Sequence, residues 1–193
     1  MIIWINGGFG SGKTQTAFEL EKRLDNAYVF DPERTGFYIR ANMPKKIMRS
    51  DFQDYSVWRT CNAEMLSYFE ENFDGILICP MTVTDKGFFK EMTDHLDKEN
   101  FHHFTLRTSR ETLYKRLRKR GEKKNSWAIA QIDRCIDHLS DDFFPGHIHT
   151  DDMSIDDVVD HIGKACGLAL KEDNRSSLKK RWDRFLVWKG HTL

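Results

Sequence analysis

The segment Gly7-Gly8-Phe9-Gly10-Ser11-Gly12-Lys13-Thr14 fits the pattern G-x-x-x-x-G-K-[ST], a spacing suited to holding a polyphosphate. Gly7, Gly10 and Gly12 allow main-chain amides to turn toward phosphate oxygens that side chains would screen. Gly8, Phe9 and Ser11 complete the cradle with their own N–H groups. Lys13 sets a point charge against the β and γ phosphates, and Thr14 offers a hydroxyl to Mg²⁺. A helix starting here adds its positive N-terminal end. The loop therefore predicts ATP and Mg²⁺ as the bound species. The Asn/Thr-Lys-x-Asp pattern that reads guanine is absent from the sequence.

Phosphoryl transfer also asks for a carboxylate and for cations around the moving group. Asp31 closes a strand-like run, AYVFDP, and strand carboxyl ends face the ligand in open α/β sheets. It could take a proton from a substrate hydroxyl or hold Mg²⁺ through water. Glu33 is a weaker alternative, and Asp85 reads as a helix cap. The third strand, GILICP, lacks the acidic end of an ordinary Walker B strand. In RETLYKRLRKRG, Arg116 and Arg120 lie four apart and share a helix face. With the charged stretch RKRGEKKNSW they read as a lid closing on ATP. By fold analogy alone, the loop Thr150-Asp151-Asp152 would pass near adenine. His147 and His149 alternate on one side of a short strand, without a third metal ligand nearby.

These residues need a scaffold, and the periodicity supplies one. Apolar runs at 2–5, 27–32, 75–80, 102–108 and 146–150 read as strands. Helical spacing appears at 13–24, 63–73, 85–96, 110–121 and 127–139, and again after Ser154, where Asp157 forms a capping box. Pro32 is expected to stop the second strand. Alternating strands and helices predict an α/β, P-loop, nucleoside-nucleotide-kinase-like fold: a five-stranded parallel sheet with helices on both faces and a helical lid.

At 193 residues, with 39% hydrophobic and 31% charged, the chain suits one packed domain. A formal net charge of zero argues against a general nucleic-acid binder. Of 30 Lys/Arg and 30 Asp/Glu, the stretch 175–193 holds six basic residues and one acid, leaving 24 basic against 29 acidic elsewhere. The expected organisation is a body at 1–170 and a basic amphipathic tail at 171–193. As a helix the tail aligns Leu178, Trp182 and Phe185, with Lys180, Arg181 and Arg184 opposite, which suits a membrane surface. Cys61, Cys79, Cys135 and Cys166 form no CxxC pair and read as reduced core residues. No leader or membrane span is visible, so a cytoplasmic protein with peripheral membrane contact is expected.

Beyond the phosphate loop, WINGGFGSGKTQTAFEL, FDPERTGF, GILICPMTV, FHHFTLRTSRETLYKRLRKR and KNSWAIAQIDRC together resemble the TmrB family of tunicamycin resistance proteins. The resemblance runs from Ile3 to about Asp160. It implies a fold similar to shikimate, gluconate and chloramphenicol phosphotransferases, ATP at Gly7–Thr14, a lid with Arg116 and Arg120, and a catalytic carboxylate at Asp31. It also implies protection against a nucleoside antibiotic, by phosphorylating the small molecule or by sequestering it.

Overall fold

Strand β1 (Ile2–Gly7) is buried along its whole length because helices cover both faces of the sheet that it centres. The computed structural model describes residues 1–190; positions 191–193 of the expected tail lie outside the described residues. The other strands are β2 (Ala27–Val29), β3 (Ile76–Pro80), β4 (Phe101–Arg107) and β5 (His147–His149). All pairings are parallel, in the order β2-β3-β1-β4-β5.

Alternation along β1 feeds two apolar layers. Ile3 and Ile5 pack with Leu20, Ile78, Val159 and Ile162, beneath α1 (Lys13–Lys22) and α8 (Ile155–Ala165). Ile2 and Trp4 pack with Leu66, Cys79, Phe89 and Phe144 on the opposite face. That face carries α3 (Ser56–Asn72), α4 (Lys86–Thr93) and, after α5 (Arg110–Lys119) and the short α6 (Trp127–Ala130), α7 (Ile132–His138). The predicted Ser154–Asp157 capping box opens α8.

Three boundaries differ from the sequence expectation. Strand β2 stops at Val29, and Pro32 does not merely end it. Pro32 is the first residue of α2 (Pro32–Ala41), where its fixed φ suits a helix start, and Asp31 is the N-cap. Helix α3 begins at Ser56, a turn or more before its apolar repeat, where the Trp58 indole N–H donates to the Pro32 carbonyl at 3.0 Å. The helix expected over 127–139 is split at Gln131 (φ −86°, ψ −7°) into α6 and α7.

The tail helix α9 (Ser177–Gly190) forms as expected, but its orientation overturns the picture of a free basic side. Arg175 bonds Asp173 and Asp183, Lys180 pairs with Asp173 at 3.0 Å, and Arg184 with Asp156 at 2.8 Å. Arg175 also meets Glu19, a carboxylate of α1 with 1% of its side chain exposed. Burial would raise Glu19, but hydrogen bonds from Arg175 and Lys22 hold its carboxyl below the usual range. Leu178, Trp182, Phe185 and Leu186 face solvent instead. The charged side thus meets the body and the apolar side does not.

His103 of β4 sits between Phe89, at a ring-centroid distance of 5.1 Å, and Phe144, at 6.0 Å, with His147 on the neighbouring strand. Burial pushes its imidazole from 6.5 down to about 4. The folded protein thus binds this proton more weakly than the unfolded chain. Stability from this group is intact above pH 6.5 and is lost as pH falls toward about 4. The loss should be roughly 3 kcal/mol. Urea unfolding near neutrality and near the lower pKa should show it, and His103→Gln should reduce the difference between the two conditions.

Candidate active site

Main-chain geometry builds the phosphate loop from the end of β1. The Asn6 carboxamide accepts from Gly7 N–H at 2.9 Å and Val83 N–H at 3.1 Å, and donates to the Val83 carbonyl at 2.9 Å. The Thr82 hydroxyl donates to the Gly7 carbonyl at 2.7 Å. These bonds fix where the loop departs from the sheet. Gly7 has φ +149° and Gly12, the N-cap of α1, φ +107°; a Cβ on Gly7 would lie 2.6 Å from Ser11 Oγ. Only glycine suits such positions. Ser11 Oγ is buried with no partner among the described residues, so the loop holds a polar atom that the protein leaves unmet. Backbone and unmet atom together fit an oxygen-rich anion at the start of α1, next to the half-buried Thr14.

Lys13 lies in this loop, its ammonium donating to the Gly8 carbonyl at 3.2 Å and 5.7 Å from the centre of the Phe9 ring. Burial pushes the ammonium from 10.5 down to about 8. The charges of Glu33, then Cys135 and Asp31, pull it upward, and Arg120 pushes it down. The loop lysine, both acids of the Asp31-Pro32-Glu33 turn and the lid arginine therefore act on one another.

Asp31 is 5% exposed, and its Oδ1 accepts from Glu33 N–H at 3.0 Å, so part of its capacity is used in capping α2. The sequence ranked Glu33 below it, yet Glu33 is the stronger influence on Lys13. Arg116 reaches from α5 to the Ser11 carbonyl at 3.3 Å and the Thr150 carbonyl at 2.8 Å, joining the loop to the segment after β5. Arg120 is the C-cap of α5 and stays exposed at the start of the predicted lid. Asp151 accepts from Ser109 N–H at 3.1 Å, and Asp85 caps α4 as expected.

The metal reading for His147 and His149 gains no third donor. Among the described residues the one grouping of three metal-type donors is Glu19, Asp156 and Asp173, where Arg175, Lys180 and Arg184 already supply positive charge. Sequence reasoning missed Asn6 and Thr82, which aim the loop, and Trp127, whose ring packs edge-on against Phe9 at 5.1 Å. The aromatic at the third loop position was the one available signal for that contact.

A family described as an AAA domain matches residues 3–135. The tunicamycin resistance protein of Deinococcus radiodurans superposes with a TM-score of 0.76 at 30% identity, covering 89% of this chain and 98% of that one. A sugar kinase from Janibacter gives 0.59 at 13% identity, with 87% and 95% covered. Shikimate kinase from Bacteroides thetaiotaomicron gives 0.55 at 14%, with 87% and 99% covered. The last two establish the fold alone. No curated protein sequence matches the chain.

Phosphates held at this loop would need Lys13 charged, and their presence would raise its pKa above the value of about 8 that burial gives it. Affinity for a non-hydrolysable ATP analogue should therefore be highest below that pH and weaken by up to about tenfold per unit above it. Calorimetry on either side of the pKa measures this. Lys13→Ala should bind weakly throughout and lose the slope; a flat wild-type profile contradicts the assignment.

Proposed function

Since this chain belongs to the tunicamycin resistance protein family of small, kinase-like P-loop proteins, we propose that it transfers the γ-phosphoryl group of ATP to a hydroxyl of a nucleoside antibiotic such as tunicamycin, or of a related sugar-bearing small molecule. The observation that carries this reading is the meeting of Lys13 with the two carboxylates of the Asp31–Glu33 turn. An acid beside the phosphate-binding lysine is what removal of the acceptor proton calls for.

The loop N–H groups and Lys13 hold the triphosphate, and Arg116 ties the loop to the segment that would border adenine. Thr14, and Asp31 through water, are the groups that would hold Mg²⁺, which when bound neutralises charge on the β and γ phosphates. Glu33 takes the proton of the acceptor hydroxyl. The freed oxygen forms a bond to the γ phosphorus, the bond to the β–γ bridging oxygen breaks, and ADP leaves with that electron pair. Lys13 and Arg120 offset the charge spread over the transferring group. Asp31, whose Oδ1 also caps α2, is the second carboxylate of the turn that can take this proton.

The tail supports a location for this chemistry. Among the described residues no helix is long and apolar enough to cross a membrane. Helix α9, however, exposes Leu178, Trp182, Phe185 and Leu186 in one stripe. On our reading the protein works in the cytoplasm with this stripe lying in a membrane interface. Because Lys180 and Arg184 of α9 are engaged by Asp156 of the body, attachment is driven by the apolar side.

Three measurements follow. Mass spectrometry of tunicamycin incubated with protein, ATP and Mg²⁺ should show an added phosphoryl group. Glu33→Gln should lower turnover by about 10²- to 10⁴-fold with nucleotide affinity retained, and unmodified but tightly bound drug would favour sequestration. In vesicle sedimentation, the double substitution Trp182→Ser and Phe185→Ser should reduce retention on neutral as well as anionic lipid; equal retention would end the membrane reading.

A further inference from the structure

Helix α1 starts at the phosphate loop, and its first turn carries more than Lys13 and Thr14. The first bond of the helix runs from Thr16 N–H to the Gly12 carbonyl at 2.9 Å. The N–H groups of Lys13, Thr14 and Gln15 therefore have no partner within the helix and are available to an anion at its start. The Gln15 side chain is held from the far end of the chain: its amide donates to the Arg184 carbonyl of α9 at 2.9 Å.

The loop also meets α8. A Cβ on Gly12 would lie 3.1 Å from Ile155 Cδ1, so the first residue of α8 packs directly on the loop. The next residue, Asp156, accepts from the Arg184 guanidinium at 2.8 Å, with Lys180 at 3.4 Å from the same carboxylate. Glu19, one turn along α1 from Gln15, lies 3.6 Å from Arg184. One tail residue thus grips both helices that begin beside Gly12: α1 through Gln15 and Glu19, and α8 through Asp156. Arg116 makes a second tie between the same parts, joining Ser11 to Thr150 ahead of α8. Arg175 differs. It meets Glu19 and the tail's own Asp173 and Asp183, and among the described residues it bonds neither Gln15 nor α8.

An anion site gains affinity when its donors are fixed before the ligand arrives. Tethering the first turns of α1 and α8 to one side chain fixes the open N–H groups relative to Gly12. We propose that Arg184 is a positioning residue of the nucleotide site, and that docking of the tail and binding of a nucleoside triphosphate favour each other. The coupling is reciprocal, since each event stabilises the arrangement of α1 and α8 that the other needs. It rests on the reading of Gly7–Thr14 as a nucleotide loop and holds whether or not the γ-phosphoryl group is transferred.

The test titrates the full chain with a non-hydrolysable ATP analogue and Mg²⁺ by calorimetry, well below the melting temperature. Arg184→Gln should weaken the analogue by about fivefold to twentyfold. Arg184→Lys, which keeps a cation beside Asp156, should restore most of that loss. Arg175→Gln should lower the melting temperature and leave the affinity within about twofold of wild type, because the ties to Gln15 and Asp156 persist. Saturating analogue should slow hydrogen exchange of the α9 amides in the wild type and not in Arg184→Gln. An Arg184→Gln affinity within twofold of wild type overturns the proposal and leaves the nucleotide reading standing. So does an equal loss in Arg175→Gln, a lysine variant no better than the glutamine one, or unchanged exchange in α9. A wild type that binds no analogue overturns the nucleotide reading and this one with it.

Discussion

A positive charge has been taken out of water at Lys13, and the surroundings of the site answer to that fact. Desolvating an ammonium is costly unless oxygen ligands and opposite charges compensate. The Gly8 carbonyl supplies one oxygen, at 3.2 Å, and the turn after β2 supplies two carboxylates. Triphosphate oxygens would supply the rest. Rigidity is the other requirement, since an anion site gains from donors that are already aimed. Asn6 and Thr82, both essentially without exposure, provide it by bonding the loop's root to the segment after β3.

How much of this the sequence discloses depends on the range of the forces involved. The phosphate loop reads directly because its chemistry lies in adjacent residues. The parallel sheet is nearly as plain: strands buried on both faces must be apolar throughout, as IIWI and GILICP are. Asp31 and Glu33 show the limit. A strand-end rule favours Asp31, but the proline start of α2 makes it a cap and leaves Glu33 as the stronger charge on Lys13. The Gln15–Arg184 bond joins segments far apart in the chain, and no periodicity reports such a meeting.

The tail teaches a related lesson. An amphipathic pattern states that a helix has two unlike sides, without stating which one meets the protein. Here the attachment is ionic because α1 presents Glu19, and a nearly buried acid needs cations more than it needs leucines. Arg175 and Arg184 answer that need. Gln15, one residue after Thr14, also donates to the Arg184 carbonyl at 2.9 Å. The helix that starts at the nucleotide loop is therefore the same one that holds the tail.

The sheet's outermost strands, β2 and β5, have three residues each. A foreign strand docking there would find too few unpaired peptide groups to lock into register. The long ladders of β1, β3 and β4 are enclosed by these stubs, so the architecture limits edge-to-edge polymerisation by brevity alone. The rims can thus dispense with guard lysines or prolines, and their sequence is free to serve the connections that lead into the Asp31–Glu33 turn and the segment after β5.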